Sequence, residues 1–268
     1  GFDVNNANYV LSAQPTVPNA TIDPKGLTIT GVVTNNKTYD QTSVATLNLA
    51  SASLVGVMAP DVVNIDSSAA TGAFASANAG TWAVTASGFG LTGAAGNYVL
   101  SAQPIVPNAT INPKGLTITG VVANNKTYDR TTTATLNVSG ATLVGVLAPD
   151  VVTINSSAAI GAFASANAGS RAVTASGFGL TGAAGNYVRS AQPPVPNATI
   201  NPKGLTANGV IANNKTYDRT VNVISFNLAG ASLVGIIAPD VVILDSSAAS
   251  GTFASLNAGA WAVTVSGF

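Results

Sequence analysis

One unit is written three times along this chain. Lys37-Thr38-Tyr39-Asp40 returns at Lys126-Thr127-Tyr128-Asp129 and at Lys215-Thr216-Tyr217-Asp218, a step of 89 residues each time. Pro-Lys-Gly-Leu-Thr keeps that step at Pro24, Pro113 and Pro202. Ala-Pro-Asp ends at Asp61, Asp150 and Asp240, and Asn-Ala-Gly starts at Asn78, Asn167 and Asn257. The last step of both is 90, so the third copy carries one extra residue between Val221 and Leu228. Repetition constrains the fold more than composition does, because each copy must bury the same apolar residues in the same way. The period exceeds the ~20–50 residues of a solenoid rung and suits a small autonomous domain.

Within a copy the signal is β. Short runs of alternating, β-branched residues lie at Leu27–Val33, Thr46–Leu49, Ser53–Val57, Val62–Ile65, Gly72–Phe74, Ala83–Ser87, Tyr98–Ser101 and Thr110–Ile111. Turn residues separate them, and the Lys-Thr-Tyr-Asp segment reads as one of the turns. The sequence therefore predicts an all-β chain of three tandem β-sandwich-like modules with little helix. The copies also report on burial by substitution. Trp82 aligns with Arg171 and Trp261, and Leu100 with Arg189, which puts both positions on a rim. Val84, Val173 and Val263, with Phe74, Phe163 and Phe253, do not vary and are expected in the core.

Between copies runs Ala102 to Gly115 with three prolines. Proline fixes φ and removes a donor, so this stretch reads as edge-strand or extended backbone. With Val106, Ala109 and Ile111 alternating, it can pair as a last strand and lead straight into the next module, giving an extended rod. The expected boundaries are 1–24 for the end of a preceding repeat, then modules at 25–113, 114–202 and 203–268, the last lacking its final strand. The spare amino-terminal segment around Asn8, Tyr9, Val10, Leu11 and Ala13 would then complete the third module of another chain by strand addition. Two other readings stay open: boundaries at the Gly-Phe steps (Gly1, Gly88, Gly177), and a fragment of a continuous longer chain. The opening Gly-Phe-Asp-Val, without initiator Met or signal peptide, favours a piece of something longer.

The Lys-Thr-Tyr-Asp, Asn-Ala-Gly, Gly-Asn-Tyr-Val and Pro-Lys-Gly-Leu-Thr elements, in constant order, resemble the YDG-type repeat. They are also similar to the glycine-rich, mostly-β repeats of large bacterial surface proteins such as filamentous-haemagglutinin-like adhesins. The Gly of Tyr-Asp-Gly is replaced here by Gln41, Arg130 and Arg219, where Gly would supply a positive φ. The resemblance implies an extracellular repeat region without catalytic activity.

Composition narrows the chemistry further. Charged residues are only 7%, the net charge is zero, and there is no His and no Cys. Imidazole-based triads, zinc sites and disulfides are excluded, and a neutral chain carries no nucleic-acid footprint. No apolar run reaches the ~18 residues of a membrane span, although mean hydropathy is positive. Calcium would need clustered carboxylates, and each copy has about three scattered ones. No cofactor or metal is expected. The polar groups that recur at fixed spacing are Lys37, Asp40 and Asn78, Lys126, Asp129 and Asn167, and Lys215, Asp218 and Asn257. They read first as turn chemistry, and as a sharper alternative as Lys–Asn isopeptide crosslinks promoted by the Asp.

The expected role is a structural stalk or spacer of an extracellular adhesin or surface filament at the bacterial cell surface, not an enzyme. Its partners are neighbouring copies of the same repeat or chain. The alternative is a module that binds a glycan or host protein through exposed loops around Tyr39, Tyr128 and Tyr217.

Overall fold

A computed structural model describes residues 1–268. The fold is all-β, with two 3-10 turns at Ala95–Asn97 and Ala184–Asn186 and no α-helix. No helix is long and apolar enough to cross a membrane. The first copy contains β1 (Lys25–Thr30), β2 (Val33–Thr34), β3 (Lys37–Thr38), β4 (Val44–Ala45), β5 (Leu47–Asn48), β6 (Ser53–Val55), β7 (Val63–Asp66), β8 (Thr71–Phe74), β9 (Gly80–Ser87), β10 (Gly90–Gly93), β11 (Tyr98–Leu100) and β12 (Ile105–Asn112). That is more strands than the seven or eight expected. The additional ones, such as β3 and β10, are short and rich in Lys, Thr or Gly, so their partners select them and their own propensity does not.

The central sheet of the copy runs β3-β12-β9-β8-β4, with a second sheet β11-β1-β6 and two-stranded ribbons β2-β5 and β10-β7. β12 corrects the expectation of an edge strand. It pairs antiparallel with β9 on one side, and its last residues Ile111 and Asn112 pair parallel with Lys37 and Thr38 on the other. The register shifts between Val106 and Ala109. Pro107 therefore falls in an irregularity, where the amide hydrogen it lacks is not needed. Only Pro113 separates β12 from the next strand, Lys114–Thr119.

Alternation fills the core as the sequence implied. Val84 and Ala86 of β9, Val106, Ala109 and Ile111 of β12 and Leu27 and Ile29 of β1 are all buried, and Val106 stands opposite Val84 in the ladder. In the second copy Phe163, Val173, Ala198, Ile200 and Ala134 form one cluster, and Ile118, Val121, Ala175 and Phe178 another. Its five-stranded sheet has the same order: Lys126–Thr127, Val195–Asn201, Gly169–Ser176, Ile160–Phe163 and Thr133–Ala134.

The third copy differs. Its strands are Thr206–Asn208, Ile211–Ala212, Phe226–Asn227, Ser232–Val234, Ser250–Phe253 and Val263–Ser266. No side chain after Ile200 is buried, and the expected core residues Phe253 and Val263 are only half-covered. Their counterparts in the other copies are covered by Val106 to Ile111 and Val195 to Ile200, and residues 201–268 include no such strand. Lys215 and Thr216 form no strand either, since a strand at this position pairs with a β12-type partner.

Two compact bodies divide the chain. One comprises Gly1–Gly115 with Leu147–Asp150 and Ala183–Val188; the other comprises Leu116–Val146, Val151–Gly182 and Arg189–Phe268. The division does not follow the repeat, because two loops of the second copy belong to the body of the first.

The segment Pro-Asn-Ala-Thr-Ile occurs both before Ile22 and before Ile200, yet Ile22 is 97% exposed and Ile200 is fully buried. Ile200→Ala is expected to cost about 2–5 kcal/mol. Ile22→Ala should stay within about 0.5 kcal/mol of the parent. Urea unfolding of both variants checks the difference.

Candidate functional site

The recurring lysine and aspartate lie in the Tyr-Asp loop. Lys37 Nζ donates to Asp40 Oδ1 at 2.8 Å, to the Thr42 carbonyl at 2.7 Å and to Thr42 Oγ1 at 2.9 Å. Lys126 and Lys215 make the same three bonds to Asp129 and Thr131 and to Asp218 and Thr220. Each ammonium also lies over a phenylalanine, Phe74, Phe163 or Phe253, at 5.6–5.8 Å from the ring centroid. Bonds from the lysine and from the threonine pull the Asp129 and Asp218 carboxyls down to about 2.

The three asparagines have a different task. The Asn78 carbonyl accepts from Trp82 Nε1 at 2.7 Å, and the Asn257 carbonyl accepts from Trp261 Nε1 at 2.8 Å. At the aligned position Arg171 donates through Nε to the Asn167 carbonyl at 3.1 Å and to Ala168 O at 2.7 Å. Trp and Arg are exchangeable there because both lay an N–H donor over the same turn from a half-covered position.

Lys215, Asp218 and Asn257 line one open hollow together with Tyr217, Phe253 and Trp261. Amide formation between lysine and asparagine needs a neutral amine and a protonated acid beside it. Here each lysine Nζ makes three hydrogen bonds within its own loop, and the Asp129 and Asp218 carboxyls are pulled toward the ionised form. The intact mass of the purified chain is expected to equal the sequence mass; each crosslink would remove one ammonia.

The contacts between consecutive copies centre on one carboxylate. Asp150, from the Ala-Pro-Asp loop of the second copy, accepts at Oδ2 from Tyr187 of its own copy at 2.6 Å and from Tyr39 of the preceding copy at 2.8 Å. The two rings meet edge to face, 5.4 Å between centroids and 78° between planes, and both are 5% exposed. Gln41 Nε2 donates to the Leu147 carbonyl at 3.2 Å. The Leu147 amide donates to the Tyr187 hydroxyl at 3.2 Å. Beside this cluster, Asn186 accepts from the Ala79 amide at 2.8 Å and donates to Asn78 Oδ1 at 3.1 Å. All of these residues lie within the first body.

The second body repeats the centre of this arrangement. Tyr128 donates to Asp240 Oδ2 at 2.7 Å, and Arg130 Nη1 pairs with Asp240 Oδ1 at 2.9 Å. A cavity of about 240 Å³ adjoins it, lined by Tyr128, Asn167, Lys203, Leu205, Ile237 and Asp240. In the first body Asn186 and Tyr187 contact the counterparts of Asn167, Tyr128 and Asp240. Asp61 of the first copy accepts from Tyr98 of its own copy at 2.7 Å.

These geometries correct the loop-binding alternative. Tyr39 is buried and Tyr128 half-buried, each with its hydroxyl committed to a carboxylate of the next copy; Tyr217 is 56% exposed. The amino-terminal residues Asn8, Tyr9, Val10, Leu11 and Ala13 lie outside any strand, with Tyr9 72% and Val10 86% exposed. By alignment Tyr9 to Leu11 correspond to β11, and the counterpart of β12 is Thr16 to Asp23. Sequence reasoning missed the tyrosine–aspartate bond because its partners stand 111 and 112 residues apart. They belong to different copies, and a search within one copy cannot pair them.

The sequence matches the YDG domain at residues 23–105, 112–194 and 201–268. The chain belongs to this family. No curated protein and no solved structure matches it. The tyrosine and aspartate of the motif thus have separate roles here: Tyr39 and Tyr128 reach the following domain, and the aspartate of every copy holds its own loop through lysine and threonine.

Burial, and then the bond to Asp150, push the Tyr39 hydroxyl from 10.0 up to about 12. A raised folded value means that its contribution is whole below pH 10 and is lost as pH climbs toward 12. Asp150 is held below the usual carboxylate range by Tyr187 and Tyr39, so its contribution is whole above that range and lost in acid. Tyr39→Phe is expected to cost about 1.5 kcal/mol at neutral pH and to flatten the alkaline loss. Urea midpoints measured across pH read both.

Proposed function

We propose that the chain is a structural stretch of a bacterial extracellular surface protein, a stalk or spacer in an adhesin or filament, whose role is mechanical and not catalytic. The observation that carries this reading is the repeated bond from the Tyr-Asp loop of one YDG domain to the Ala-Pro-Asp loop of the next. A chain of independent binding modules needs no such bond, whereas a spacer needs consecutive domains held in fixed order. The single-residue link at Pro113 supports the same reading, because strand passes to strand without a flexible tether. The low charge of 7% suits chains that lie beside one another. Tyr39 and Tyr128, the residues a glycan-binding alternative would use, are spent on neighbouring domains.

Small-angle scattering with a concentration series tests the proposal. A compact particle of 268 residues has a radius of gyration of about 18 Å. A rod of three modules, each at least as long as its eight-residue strands at about 3.3 Å per residue, should give a clearly larger value. The expected result is the larger value. Growth of that value with concentration reads end-to-end strand addition between chains, and a constant value reads a passive spacer. A compact particle overturns the stalk.

A further inference from the structure

The third position of the Tyr-Asp-X motif is occupied by Gln41, Arg130 and Arg219, with φ of 69°, 67° and 61°. An L side chain is disfavoured in this left-handed region, which is why the motif carries Gly there. The same strained conformation at all three copies means that the surrounding loop imposes it. The loop is fixed on both sides of this residue, by Lys–Asp bonding before it and by the Thr amide bonded to the Asp carboxylate after it. The loop therefore fixes where the side chain of a non-Gly residue points, and a polar contact made there offsets part of the strain.

Two of the three have one, and it lies on the following domain. Gln41 donates to the Leu147 carbonyl at 3.2 Å, and Arg130 pairs with Asp240 at 2.9 Å with both groups about one-third exposed. Arg219 makes no hydrogen bond or ion pair. The left-handed backbone aims the side chain at the loop that the preceding tyrosine also reaches. Resting on the proposed domain-to-domain bond, we infer that the residue after Tyr-Asp specifies the junction: it tunes the contact with the next Ala-Pro-Asp loop that the tyrosine makes in common. Gln41 brings no cation to its junction, and its contact with the Leu147 carbonyl is indifferent to salt. The Arg130 junction is an ion pair on top of the tyrosine bond and is salt-sensitive.

A double-mutant cycle on the full chain tests this, with urea unfolding of Arg130→Gly, Asp240→Asn and the pair. Arg130→Gly relieves backbone strain in either background but loses the ion pair only when Asp240 is present. It should therefore stabilise the Asp240→Asn chain about two- to fivefold more, in folding constant, than the parent. That difference should close in molar salt. Gln41→Arg should transplant the effect, making the first junction salt-dependent through Asp150. Equal gains from Arg130→Gly in both backgrounds, or no salt dependence in Gln41→Arg, overturn the inference. Tyr128→Phe separates the two levels. If it couples to Asp240 while Arg130 does not, the junction stands and the specifying role falls; if neither couples, the junction reading falls as well.

Discussion

A YDG domain in this chain closes only where its last strand lies between the long β9-type strand and the two-residue Lys-Thr strand. Ile111 and Ile200, both fully buried, sit on those strands, and the first two copies gather their core around them. Where residues 201–268 include no such strand, Phe253 and Val263 stay half-covered and Lys215–Thr216 does not pair. Much of the hydrophobic stabilisation of a copy thus depends on a segment that is proline-containing, bulged and followed after one residue by the next domain.

Polar chemistry follows the same economy. The chain has only ten carboxylates and ten cations, and those that recur at the loops pair with one another or with phenols. The loop aspartates pair with lysines whose stems cover phenylalanine. Of the Ala-Pro-Asp aspartates, Asp61 takes the phenol of its own copy, Asp150 takes phenols from two copies, and Asp240 takes a phenol and a guanidinium. Among buried side chains none is polar or charged, so the charges act at the rims of small apolar cores, where hydrogen bonds order the loops without the cost of burying an ion.

Several features were legible from residues alone. The all-β class, the three copies, the rim position of Trp82 and Arg171 and the core position of Val84 and Phe74 all follow from alternation and from comparing one copy with another. The positive φ at Gln41 was legible in outline, since Gly stands there in the motif. The two-residue strands were not legible, because Lys37–Thr38 has no β signal of its own and is a strand only beside Ile111 and Asn112. The edge-strand reading of the proline segment failed for a related reason. Proline bars a ladder hydrogen bond only at its own position, and the bulge places Pro107 where none is required.

The sequence by itself determined what each copy contains: the alternation that separates core from rim, the turn residues, and the absence of the groups that most catalytic and metal sites need. These are local properties, readable within a window of a few residues. Only the tertiary structure decided what passes between copies. Tyr39 and Asp150 are turn residues in any local reading, and they become partners because the loop Leu147–Asp150 belongs to the same compact body as the first copy. A contact across 111 residues depends on where closed domains place their surfaces, and no local preference encodes that.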